Sequence, residues 1–169
     1  MNSSVFINNS ARFILLLAAQ ILIFNYFDLL GFINPYPYIL FIILFPVNGN
    51  KSALLLAAFS LGIIMDLFLN SGGVHAFACV ALAYVRPYIF KFAFGLSYEY
   101  QTVKLNDILT PERFSFILVS VLIHHICLFF LEVFSVTLLW NMLYISISSI
   151  IATIILSIII IYLIKPKRR

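Results

Sequence analysis

The sequence predicts an all-α integral membrane protein with about six transmembrane helices and both termini in the cytoplasm. Three observations carry that prediction. Only 9% of the 169 residues are charged and 64% are hydrophobic, against roughly 25% charged in an ordinary soluble domain. So few charges cannot cover a water-soluble surface, and the mean hydropathy is +1.13. The apolar residues gather into long runs, several close to the roughly 20 residues that a span requires. Lysine and arginine fall in alternate connections, as the excess of positive charge on cytoplasmic loops requires. The length suits a single transmembrane domain over residues 1–169.

The first segment runs from about Arg12 to Phe27. No basic residue precedes Arg12 and no A-x-A site follows the run, so it reads as a retained span and not a cleaved signal. The second covers about Pro35 to Val47. Pro35 and Pro37 suit a first helical turn, and Pro46 an end or a kink. At 1.5 Å per residue it reaches roughly 20 Å, short of the ~30 Å hydrocarbon core. It extends past the kink, thins the bilayer or fails to cross. The third covers about Ser52 to Leu69 and the fourth about Val74 to Phe92. The fifth, about Arg113 to Ser135, starts with Thr110 as cap and Pro111 in the first turn. The sixth runs from about Trp140 to Ile164. All must be helical in lipid, where no water satisfies an exposed backbone.

With the N-terminus inside, Arg12, Lys51, Arg86, Lys91, Lys104, Arg113 and the "KPKRR" tail fall toward the cytoplasm. The outer turns keep Asp28 and no basic residue. Were the second segment not to cross, only Arg12 and the N-terminus would change sides, so charge alone leaves five spans open. Trp140, Tyr36 and Tyr38 are expected in an outer aromatic belt, Tyr88 and Tyr162 in an inner one. The longest polar connection, residues 95–113, is expected to be cytoplasmic. The formal charge of +4 is spread over the flanks of the spans and marks lipid headgroups, not nucleic acid. Cys79 and Cys127 lie inside apolar runs and read as packing residues.

Ionisable residues within spans cost about 2.5–3.5 kcal/mol at a helix centre, so they are the first candidates for function. Here they are Asp66, His75, Arg86, His124, His125 and Glu132. Asp66 and His75 flank the turn signal "NSGG" at 70–73, near one end of an antiparallel hairpin. Gly62, Asp66 and Asn70 share a face, opposite the small residues Ala76, Ala78, Cys79, Ala81 and Ala83. A tight helix pair, with Asp66 bonded to backbone donors or to His75, is favoured over a polar site opening outward. Arg86 precedes Pro87 and is expected to snorkel to the inner headgroups, in preference to pairing with a carboxylate. His125 and Glu132 share a face of the fifth helix, while His124 points about 100° away. An inter-helix hydrogen-bond network is favoured there over a proton relay. Metal binding needs more convergent ligands than these, and no metal or cofactor is expected. No nucleophile elbow, glycine-rich phosphate loop or catalytic carboxylate pair stands out, and no enzymatic activity is expected.

Three stretches, taken in order, resemble the MreD family of rod shape-determining membrane proteins. They are "INPYPYILFIILFP", "GIIMDLFLNSGGVHAFACVALAYVRP" and "HHICLFFLEVFS". The resemblance covers about the whole chain, is carried by order and spacing, and is strongest to the Bacteroidetes branch. It implies a scaffold of the bacterial elongasome in the inner membrane, acting in cell shape and lateral peptidoglycan synthesis. The implied partner is MreC, with the actin-like MreB, RodA and its transpeptidase partner reached through the complex. It also implies a fold similar to the S components of energy-coupling factor transporters. The alternative is therefore a vitamin-binding S component, whose pocket would lie near Asp66, His75 and Glu132. S components resemble one another in an A-x-x-x-A stripe on the first helix. Here Leu22 and Ile23 follow Ala18 and Ala19, and the stripe is missing. A proton-coupled transporter using His125 and Glu132 is a third reading, weakened by the lack of repeated halves.

Overall fold

A computed structural model describes residues 3–26, 33–95, 109–132 and 139–164. Their regular structure is helical: α1 (Ser3–Leu22), α2 (Leu40–Ile43), α3 (Lys51–Leu69), α4 (Val74–Phe94), α5 (Pro111–Glu132) and α6 (Leu139–Ile164). Short 3₁₀ turns follow α1 at Phe24–Tyr26 and precede α2 at Pro37–Ile39. Among the described residues, five helices are long and apolar enough to cross a membrane. The chain is an all-α, multi-pass membrane protein.

Successive long helices from α3 to α6 pack against their neighbours, and α1 closes onto α3. The interior they enclose is filled by the second segment. Every residue from Tyr38 to Phe45 is 6% exposed or less. That segment touches α1, α4 and α6, so it is the axis of the bundle and not one of its walls. The expected second helix, 35–47, is thus a helical core of seven residues, three in the 3₁₀ turn and four in α2. Pro46 ends it. Proline offers no N–H and restricts the residue before it, so helical hydrogen bonding cannot continue. Backbone of this kind is tolerated at membrane depth because protein surrounds it on all sides.

Short as it is, the segment travels far. Tyr38 meets His75 at the start of α4, and Phe45 meets Arg86 eleven residues later on that helix. At 1.5 Å per residue the segment spans about 16 Å of depth.

The helix ends obey local chemistry. Asn50 caps α3, its Oδ1 accepting from Ser52 N at 2.8 Å and Ala53 N at 3.3 Å. Asn70 ends α3 with φ 53°, and Gly72 and Gly73 follow with φ of 67° and 104°. These left-handed turns let α4 reverse directly onto α3. Gly62 is where the two helices come closest. A Cβ there would lie 2.4 Å from Ala76 Cα and 2.6 Å from His75 O. The Thr110 hydroxyl accepts from Arg113 N at 3.4 Å, as its cap role predicts. α1 starts nine residues before Arg12, because the polar lead-in is helical too. Asn9 is buried and accepts from Arg12 Nη1 at 3.5 Å.

Candidate functional site

Asp66 closes the α3–α4 turn. Its Oδ1 accepts from Ser71 Oγ at 2.6 Å and from His75 N at 2.9 Å, and its Oδ2 from Ala76 N at 2.9 Å. Two of these donors are first-turn amides of α4, which have no partner inside their own helix. Asp66, 7% exposed, therefore caps the neighbouring helix across the turn, with its negative charge on the positive end of the α4 dipole. His75 meets Asp66 through its backbone. Its ring points elsewhere.

That ring belongs to a second group. Tyr38, fully buried in the axial segment, places its hydroxyl 2.7 Å from His75 Nδ1 and 2.9 Å from His124 Nε2. A phenol has one hydrogen, so it donates to one imidazole and accepts from the other. His124 Nδ1 has no partner. The arrangement that orphans no N–H on His124 has its Nε2–H donating to Tyr38, and Tyr38 O–H donating to His75 Nδ1. Tyr36 packs beside them, its ring 5.4 Å from His75 and 5.6 Å from His125. Tyr36 and Tyr38 thus turn inward, not out to an aromatic belt, because the imidazoles give the buried Tyr38 hydroxyl its partners. Trp140, Tyr88 and Tyr162 do lie on exposed faces.

His125 joins a third strand of the network. Its Nδ1 lies 2.9 Å from the Val121 carbonyl, which can only accept, so Nδ1 carries the hydrogen. In the neutral ring Nε2 then accepts from the Thr153 hydroxyl of α6, 3.4 Å away. Thr153 also accepts from Tyr36 N at 3.0 Å, and Ser149, one turn earlier, from Asn34 N at 3.3 Å. α6 thereby satisfies the non-helical backbone that enters the axial segment.

The other end of that segment is held by two arginines. Arg12 Nη1 donates to the Leu44 carbonyl at 2.8 Å. Arg86 Nη2 donates to Ile43 O at 3.3 Å and to Phe45 O. Three consecutive carbonyls at a helix C-terminus would otherwise be unpaired in an apolar interior. Arg86 is 6% exposed, with Phe90 and Phe116 rings 5.6 Å and 5.9 Å from its guanidinium carbon. It does not snorkel. Its Nη2 is taken up by carbonyls of the broken segment, where positive charge suits the negative end of a helix.

Of the residues expected from sequence, the fold joins His75 to His124 through Tyr38 and sets His125 beside them, with His124 and His125 ring centroids 5.5 Å apart. Asp66 touches this group only through the α4 backbone. Arg86 lies at the far end of the segment, and Glu132 is exposed at the end of α5, away from the buried His125. Lys104, Asp28 and most of the 95–113 connection fall outside the described residues. Sequence reasoning missed Tyr38, Arg12 and Thr153. Thr153 had a signal: Ser149, Thr153 and Ser157 repeat at i, i+4 in a helix that is otherwise largely aliphatic.

No protein-family model, curated protein or solved structure matches this chain. Its chemistry is read from its own residues. Among the described ones, no three His, Cys, Asp or Glu side chains group to hold a metal ion. The buried polar cluster binds five elements to one another: the axial segment, α3, α4, α5 and α6.

Proposed function

We propose that this chain is a non-enzymatic membrane scaffold of the bacterial elongasome, working as the MreD family it resembles, with MreC as its direct partner. The observation that carries the reading is how the buried charges are used. Asp66 and Arg86 both hold this chain's own backbone, at opposite ends of the bundle. Charged groups so engaged stiffen a fold and leave its outer faces as the surface that meets other molecules. Those faces are rich in large side chains such as Leu56, Phe59, Phe68, Phe77 and Phe130. Membrane helices associate by van der Waals packing and inter-helix hydrogen bonds, with no water to displace. Cell shape and lateral peptidoglycan synthesis would then depend on this protein through assembly. MreB, RodA and its transpeptidase partner are reached through the same complex, in the inner membrane.

The test is co-purification. The tagged full chain, extracted from membranes in mild detergent, should retain MreC. Recovery of no elongation protein, from cells in which the tagged chain supports normal shape, would sink the proposal.

A further inference from the structure

A second feature of the structure is independent of the polar cluster. Where the axial segment ends, a cavity of about 470 Å³ opens between that segment, the start of α3 and the second half of α4. Among the described residues, its walls carry three cationic side chains, Lys51, Arg86 and Lys91, and no acidic one. Lys51 opens α3 and Lys91 stands in the last turn of α4, both exposed, so they meet at the same end of the antiparallel pair. Arg86 lies deeper by five residues of α4, about 7 Å of rise. It is 6% exposed, and its Nε has no hydrogen-bond partner. The remaining walls are chiefly apolar, and Tyr84 and Tyr88 stand on the exposed face of α4 at the rim.

We infer that this cavity binds the phosphate headgroup of an anionic phospholipid. Three cations gathered on one wall, with no carboxylate among the described lining residues, favour an anion. A guanidinium on the cavity wall is matched in charge and in planar hydrogen-bonding geometry by phosphate oxygens. The apolar walls select an amphiphile over a bare ion: a free phosphate would leave most of that surface uncovered, whereas a glycerol backbone and the tops of two acyl chains would fill it. Because α4 crosses the membrane and its tyrosines flank the opening, the lipid enters sideways from the bilayer. Basic pockets between helices at a charged membrane face recognise headgroups in this way.

The experiment uses the full chain in micelles holding equal amounts of phosphatidylglycerol and phosphatidylcholine, with the lipid that stays bound measured by native mass spectrometry. Wild type should retain phosphatidylglycerol preferentially. The doubly substituted Lys51→Gln, Lys91→Gln chain, which leaves the Arg86 hydrogen bonds in place, should lose retention about fivefold for each lysine. Lys51→Arg with Lys91→Arg should restore it. Equal retention by wild type and the glutamine variant, or no preference for the anionic lipid, overturns the assignment. Displacement of the lipid by millimolar inorganic phosphate, at constant ionic strength, would overturn it too by showing a site for a soluble anion.

Discussion

Tyr38 shows how much one hydroxyl can hold. It joins His75 on α4 to His124 on α5 from a segment that belongs to neither helix. Tyr38→Phe keeps the ring and its packing but leaves two buried imidazole nitrogens without their partner. Burying an unsatisfied polar group costs about 1–3 kcal/mol. The variant should therefore melt at a clearly lower temperature than wild type in the same detergent, followed by loss of helical circular dichroism. An unchanged melting curve would mean that the shared hydroxyl contributes nothing net. Residue-level legibility was uneven for a physical reason. Asp66 stood out because it flanks a turn and its partners, Ser71 and the amides of His75 and Ala76, lie within ten positions. The contacts that Tyr38, Arg12 and Thr153 make across the fold reach groups 28 to 117 positions away. No local pattern encodes such distances.

At the scale of elements, the α3–α4 pair is the tightest joint and was the most legible. The turn residues, the small-residue face of α4 and the Gly62–Asp66–Asn70 stripe all point to it in sequence. The structure adds that Gly62 meets backbone, not flexible side chains. Gly62→Ala gains helix propensity but forces the helices apart, and overpacking of this kind costs about 1–3 kcal/mol. The variant should melt lower than wild type and make Cys79, now fully buried, more reactive to a membrane-permeant thiol reagent. Wild-type reactivity would argue that the pair has slack. The second segment was the least legible element. Its thirteen apolar positions fit a short span, and nothing in their composition distinguishes a helix facing lipid from a core that faces only protein. The prolines predicted that it would break. They could not predict that arginines from two other helices would complete it.

For the molecule as a whole, the axial segment restores an even number of passes. It carries the chain from the level of His75 to that of Arg86, so α1 and α3 start on the same side. From the positive-inside bias, we propose that this side is the cytoplasm. In a chain stripped of its native cysteines, Asn48→Cys should react with an impermeant thiol reagent only from the cytoplasmic face, and Ser71→Cys only from the outer one. Labelling of both from one face would refute the arrangement. The arginine clamp also has a consequence for how the protein is made. A stretch this short and proline-flanked cannot hold itself across a membrane when it leaves the ribosome. Its Ile43 and Phe45 carbonyls find Arg86 only after α4 has been synthesised, some forty residues later. We predict that early in biogenesis this segment is held by Arg12 alone, and that its place is completed only when α4 arrives with Arg86.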